Sequence, residues 1–362
     1  MDNTNEAPLH IAKQGWLLAG GRIDGTDPNP NRPMLGQLYA EYQIPAERLH
    51  PYPVVMIHGG MQSGANFTGT PDGRDGWAQH FLRAGYTVYV VDQVGRGRSA
   101  YHPSYGPLRQ PGVENVRQRF VAPEAFELFP QARLHSQWPG VAEPGDPVFD
   151  QFMAAQQHSI ASYPKQQELM REAGAALLDK IGPAILLVHS QAGAFAWPIA
   201  QARPELVKAI LAVEPNGPPV HDIVNLGAPE WFAEDPVTKV SGLGHIPLDY
   251  DPPLAPGEAL SFVQGVKPSD PAKVQGWLQQ EPARKLRHLD CIPLLILTAE
   301  ASYHTPYDHA TVAYLRQAGV PVDFIELSSF GIHGNGHMMM WEKNNREISR
   351  VMLEWLGQLE LG

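Results

Sequence analysis

Short runs rich in Val, Ile and Leu, none long enough to be a helix, recur along this chain with helical patterns between them. They are Val54–Ile57, Tyr86–Asp92, Ile185–His189, Ala209–Glu214, Leu294–Thr298 and Val322–Leu327. A strand that is apolar on both faces must be covered on both faces. Helices laid between successive strands do this, so the alternation predicts an α/β fold with a mostly parallel, doubly wound sheet. Trp16–Ile23 and Gln37–Gln43 read as an opening antiparallel pair. Helices are expected over Gly76–Ala84 and Gln166–Ile181, from Gln191, over Pro306–Ala318, and near Met340–Leu359. In the second of these, Leu169, Ala173, Ala176, Leu177 and Ile181 fall on one face.

Two segments, about 100–162 and 216–289, break the alternation. They hold most of the proline clusters (His102–Pro147 and Pro215–Pro271; a third is Thr26–Pro33) and scattered aromatics such as Trp138, Trp231, Phe232 and Tyr250. Unpatterned stretches this long inside a compact domain are usually lids or binding elements. They are therefore expected to be cap insertions on a single domain spanning residues 1–362.

The formal net charge of −11 makes nucleic acid and anionic membranes poor partners. Cys291 is the only cysteine, so no intramolecular disulfide can form. The start, Met1-Asp2-Asn3-Thr4-Asn5-Glu6, is polar, and no apolar run is long enough to span a bilayer. A cytoplasmic location is the default expectation from these features.

Chemistry is concentrated at three strand ends. Val188-His189-Ser190-Gln191-Ala192-Gly193 joins a buried strand to a helix of small residues, the strand–turn–helix setting of a nucleophile elbow. The turn leaves Ser190 at a helix N-terminus, where the Gln191 N–H can hold an oxyanion. Val188 stands where such turns usually carry glycine. His58-Gly59-Gly60-Met61 ends the first buried strand, and its glycines allow close backbone approach, so the Gly60 N–H is the second donor candidate. The loop Gly331-Ile332-His333-Gly334-Asn335-Gly336-His337 follows the last strand. A base that deprotonates Ser190 belongs there; the Gly-x-Gly-His context puts His337 ahead of His333, which can still line the site. His333 and His337 have a metal-ligand spacing, but the glycines between them argue against a helix and hence against metal; neither metal nor cofactor is expected.

The acid that orients the histidine has two places in this topology. Glu214 ends one buried strand and is followed by Pro215; Glu300 follows the next, with Asp308 a little further on. Residues alone do not separate Glu214 from Glu300.

His58-Gly59-Gly60, Thr70-Pro71-Asp72-Gly73-Arg74, Asp92-Gln93-x-Gly95-Arg96-Gly97-Arg98-Ser99, Val188-His189-Ser190-Gln191, Glu214-Pro215 and Gly334-Asn335-Gly336-His337-Met338-Met339-Met340 together resemble the bacterial esterase-713-like α/β-hydrolases. The resemblance covers most of the chain and is weakest in the two insertions. It implies the α/β-hydrolase fold, a Ser190–His337–Glu214 triad, and a structural role for the Asp92–Ser99 turn, with Arg96 and Arg98 in local pairing. It also implies a packing role for His189. Family members can carry adjacent cysteines where this chain has Gly60-Met61.

The expected function is a serine esterase working through an acyl-enzyme. The alternatives are a lactonase or C–C bond hydrolase of a secondary metabolite or xenobiotic, and a non-catalytic binding protein on the same fold. The expected partner is a small ester or lactone, with a homodimer allowed. The aromatic- and proline-rich insertions suggest an apolar or aromatic substrate touched by Met61, Trp231 and His333.

Overall fold

A computed structural model describes residues 8–361 apart from 24, 26, 27 and 29. The polar start Met1–Glu6 and part of the Thr26–Pro33 proline cluster lie outside the described residues. Eight strands form the main sheet: β1 (Ile11–Ile23), β2 (Met34–Pro45), β3 (Val54–Ile57), β4 (Val88–Asp92), β5 (Ala184–His189), β6 (Val207–Val213), β7 (Leu294–Thr298) and β8 (Val322–Glu326). Their order across the sheet is β1-β2-β4-β3-β5-β6-β7-β8. From β4 to β8 every neighbour pair is parallel, and β2 runs antiparallel to both β1 and β4. This is the mostly parallel, doubly wound sheet that the apolar runs and the opening pair predict, and it agrees with the α/β-hydrolase fold that the resemblance implies.

Five helices cover the sheet: α1 (Trp77–Arg83), α2 (Tyr163–Ile181), α3 (Gly193–Ala202), α4 (Asp308–Gln317) and α5 (Asn345–Gly357). Every residue of β5 is buried. Its alternate side chains go to opposite layers, as a pleated strand requires. Leu186 and Val188 pack with Leu177 of α2 and Phe195 of α3. Ile185 and Leu187 pack in the other layer with Phe81 of α1 and Trp355 of α5. Removing one such leucine to alanine costs roughly 2–5 kcal/mol.

The last helix begins at Asn345 rather than near Met340. The cause is Arg74, whose guanidinium takes the carbonyl oxygens of Trp341, Glu342 and Lys343 at 3.0–3.2 Å. Those acceptors are then not available to a continuous helix. The 70–77 stretch thereby fastens the loop that carries His337.

The two segments outside the alternation hold short elements of their own. The first contains a π-helical turn at Arg117–Val121 and a helix at Pro147–Ala154, which Asp146 caps. Its Phe152 and Trp138 join the core beside Trp341. The second contains an antiparallel hairpin of His221–Gly227 and Trp231–Thr238. That hairpin was hidden in the sequence by its polar residues and by Pro236, which argues against a strand.

The chain leaves β3 for β4 on one side and returns on the other side as β5. At such a switch the loops after the two adjacent strands diverge and open a crevice at their C-terminal ends. Gly59-Gly60 and Ser190 stand at that crevice.

Candidate active site

The turn after β5 forces Ser190 into left-handed backbone, with φ +55°. A non-glycine residue held there costs of order 1–3 kcal/mol and persists only where its surroundings impose it. The surroundings are tight. A Cβ on Gly193 would lie 2.4 Å from Pro215 Cβ, and a Cβ on Gly59 would lie 2.9 Å from Ser190 Cβ. The Asn216 N–H donates to the Ser190 carbonyl at 2.8 Å. Val188, where glycine is usual, lies fully buried in the core, so the elbow forms without the smaller residue.

Gly60, Met61, Ser190 and Gln191 all line one cavity of about 430 Å³. Arg96 braces this corner, in place of the local pairing expected of it. It donates to the Gly59 carbonyl at 2.8 Å, to Gln191 Oε1 at 2.6 Å and to Gln166 Oε1 at 3.1 Å. All three acceptors are neutral and the side chain is buried, so desolvation pulls its pKa down to about 9. Arg98 does pair locally, with Asp92 and Glu41. Asp92 also accepts the Gly64 N–H at 2.7 Å, which makes the Asp92–Ser99 turn a structural one.

Glu214 directly follows β6, with φ +43° and no exposed surface. Its Oε1 accepts the Ala299 N–H at 2.8 Å, and its Oε2 accepts the Ser302 hydroxyl at 2.7 Å. His337 Nδ1 lies 2.5 Å from the same Oε2. Burial, with nearby Asp308, holds the carboxyl well above the ordinary carboxylate range, although the Ser302 and Ala299 donors pull the other way. Burial, reinforced by His189, His304 and Arg119, drives His337 well below the ordinary histidine range. His337 is therefore neutral at neutral pH.

Glu300 is occupied elsewhere. It accepts from His333 Nδ1 at 3.0 Å and from the Gly334 N–H at 2.8 Å. The His333 side chain is 61% exposed and does not line the cavity. The expectation of His333 in the site is corrected: its pairing with Glu300 turns the ring outward. Trp231 is likewise absent from the lining, where the same hairpin contributes Asp222, Ile223, Val224 and Asp235 instead. Trp231 sits at the hairpin turn, opposite Gly227.

His337 is enclosed by rings that sequence reasoning missed. His304 stacks on it at 4.8 Å, and Tyr303 and Phe120 close the other approaches at 4.7 and 5.4 Å. His189 packs against it at 4.4 Å and bonds its carbonyl at 3.1 Å, in keeping with a packing role. His304 Nδ1 is in turn 3.0 Å from Asp308. The Tyr303 hydroxyl is 3.3 Å from His337 Nε2, and Tyr303 and Ser190 line the same cavity. No direct Ser190–His337 hydrogen bond forms among the described residues. The available signal was position: Tyr303 and His304 follow the buried strand β7, where an acid was sought.

Ligand atoms of Glu214, His304 and His337 lie within 4.8 Å of one another, a donor set that could hold a metal ion. Glu214 and His337 are already bonded to each other within it.

The His337 loop is clamped from the first insertion. His135 contacts Glu124 at 2.7 Å and Glu342 at 2.9 Å. Glu342 accepts the Gly336 N–H at 2.8 Å and the Asn335 amide at 2.7 Å. Desolvation opposes its charge, but the two carboxylates raise His135 to about 9.

The cavity is more polar than the expectation of an apolar or aromatic substrate. Arg109, Gln110, Asn115, Arg119, Asp222 and Asp235 face it, and three of its aromatics, Tyr163, Tyr303 and Tyr307, carry hydroxyls, with Phe120 the apolar exception.

Comparison with known proteins places this architecture. A family model described as alpha/beta hydrolase fold matches residues 52–237. The chain belongs to the α/β-hydrolase fold family. It is 43% identical, over 88% of its own length and 85% of the relative's, to a probable secreted lipase of a fungus, Fungal sp. (strain ATCC 74256). A solved structure described as a novel bacterial esterase superposes with a TM-score of 0.62 at 24% identity, covering 99% of both chains, and shares the fold. The expected class, a carboxylic-ester hydrolase, agrees with both descriptions. The expected cytoplasmic location does not stand: the relative at 43% identity is a secreted protein by description. No described helix is long and apolar enough to cross a membrane.

Proposed function

We propose that this protein hydrolyses a carboxylic ester through an acyl-enzyme on Ser190, with His337 as base, Glu214 as its orienting acid, and segments 100–162 and 216–289 as the cap. The observation that carries this reading is the buried Glu214–His337 contact of 2.5 Å, beside a cavity that Ser190, Gly60 and Gln191 line together.

Glu214 holds the Nδ1–H tautomer, which leaves Nε2 free to accept a proton. Ser190 Oγ attacks the ester carbonyl. Its proton passes to His337 Nε2, beside which the Tyr303 hydroxyl stands. The Gly60 and Gln191 N–H groups receive the oxyanion, and buried Arg96 adds positive potential behind them. The imidazolium returns its proton to the leaving alkoxide. Water then attacks the acyl-enzyme with the same base, releasing the acid and restoring Ser190.

The relative described as a lipase favours an open-chain ester over the lactone and C–C bond alternatives, and favours work outside the cell. The test is labelling by a fluorophosphonate together with turnover of 4-nitrophenyl butyrate. Ser190→Ala is expected to lose both. Labelling at another residue, or turnover that survives in Ser190→Ala, would remove Ser190 from the mechanism.

A further inference from the structure

The ionised side chains lining the cavity are not equally satisfied. Asp222 and Asp235 belong to the hairpin and share Lys239, which is buried behind them. Asp222 bonds the lysine directly, and Asp235 accepts the Val237 N–H at 2.8 Å. Arg109, at the rim, donates to the Tyr163 hydroxyl at 2.8 Å and lies over that ring.

Arg119 differs from all three. It projects from the π-helical turn of the first insertion and is half-buried. Among the described residues its guanidinium makes no hydrogen bond and no ion pair; it lies over the face of the Tyr303 ring, 5.3 Å from the centroid. A guanidinium carries five N–H donors in a planar fork that matches a carboxylate. Holding that fork inside a cavity with its donors unused makes sense when a ligand supplies the acceptors. The ring beneath it is the one whose hydroxyl is 3.3 Å from His337 Nε2, and Ser190 lines the same cavity. The free guanidinium therefore stands one phenol ring from His337.

We infer that Arg119 is an anion subsite, and that the preferred substrate is an ester whose acyl part carries a carboxylate a few bonds from the scissile carbonyl. The inference rests on the Ser190 hydrolase reading above. The surroundings suit it: Asn115 and Gln110 offer neutral donors near the arginine on the same segment, and the volume of about 430 Å³ accommodates a small or medium-sized acid ester. The chain's net charge of −11 works against general attraction of anions, so selectivity for one must come from a local cation.

The experiment compares 4-nitrophenyl hydrogen glutarate with 4-nitrophenyl valerate, equal in chain length and differing by the carboxylate. Wild type is expected to favour the anionic ester in kcat/KM. In Arg119→Gln the anionic-to-neutral ratio is expected to fall at least about tenfold, the scale of one charged hydrogen-bonded pair, with the loss mainly in KM. Arg119→Lys should recover part of the ratio. A ratio unchanged in Arg119→Gln, or a wild type indifferent to the carboxylate, overturns the inference. Glutarate binding to Ser190→Ala by calorimetry separates the two readings. Binding that depends on Arg119 without turnover in wild type keeps the subsite and sinks the hydrolase. Turnover of both esters with no dependence on Arg119 does the reverse.

Discussion

Replacing Glu214 by Gln changes one atom of the site and tests how its three donors are arranged. In wild type the Ala299 N–H, the Ser302 hydroxyl and His337 Nδ1 converge on two carboxylate oxygens, at 2.8, 2.7 and 2.5 Å. Glutamine keeps one oxygen for Ala299 but brings an NH₂ to the oxygen shared by Ser302 and His337. The hydroxyl can turn and accept. The imidazole cannot keep its proton on Nδ1 against an N–H, so the tautomer reverses and Nε2 carries the proton. A protonated Nε2 cannot take the proton of Ser190. Loss of the correct tautomer in a serine triad costs about 10³–10⁴ in kcat, or roughly 4–5.5 kcal/mol of barrier. The assay is steady-state turnover of 4-nitrophenyl butyrate beside the rate of fluorophosphonate labelling, with thermal unfolding as the check that the near-isosteric variant folds. Glu300→Gln serves as the comparison, since the Glu300 carboxylate bonds the exposed His333 and the Gly334 N–H rather than His337, and should lose less than about tenfold. If Glu214→Gln keeps its labelling rate within tenfold of wild type, or if Glu300→Gln is the variant that loses it, the tautomer argument is wrong.

Other outcomes follow from the same geometry. Arg96→Met removes the brace joining Gly59 to Gln191 and should lower kcat by about 10² with little change in KM, the scale of one lost oxyanion donor; an unchanged kcat would make the arginine structural. His337 titrates well below the ordinary histidine value, and only its neutral form is a base, so the acid limb of the kcat/KM profile should lie below pH 6.5. An acid limb at or above 6.5 would contradict this. His58 and His189 are both pulled down to about 3 by burial, so the unfolded chain binds more protons from about pH 3 up to 6.5. Stability contributed by keeping them neutral should fall as pH drops below 6.5, by roughly 1.4 kcal/mol per histidine per pH unit, measured by denaturant unfolding at pH 7, 6 and 5. Gly193→Ala should destabilise by about 1–3 kcal/mol, because its Cβ would meet Pro215 at 2.4 Å; an unchanged melting temperature would show that the elbow can yield.

The sheet was legible because its strands are buried on both faces and so must be apolar throughout, which makes runs such as Val54–Ile57 and Ile185–His189 conspicuous. Ser190 and Gly60 stood out as candidates for a related reason: each follows one of those strands, and the strand positions the residues after it; Glu214 shared that mark with Glu300, and only the family resemblance favoured it. His337 was marked by its glycines. What was not legible depends on contacts between distant segments. Arg119 lies in a stretch with no period and reaches the site only through tertiary packing. Tyr303 and His304 follow β7 in the place where an acid was sought, and their roles come from rings stacked around His337. Arg96 looked like a turn residue because its acceptors, Gly59 and Gln191, are 37 and 95 positions away. The choice of Trp231 and His333 failed where a residue type suited to ligand contact was taken for a position in contact.

His135 belongs to the first insertion, yet it grips Glu342, the residue that shapes the turn before His337. An insertion attached in this way is not an interchangeable module. A segment exchanged at residues 100–162 without a histidine to meet Glu342 would remove the pin, and the histidine loop would be left to find its own shape. Changes within residues 100–162 that keep this pin are point changes, at positions such as Arg119, rather than exchange of the whole segment.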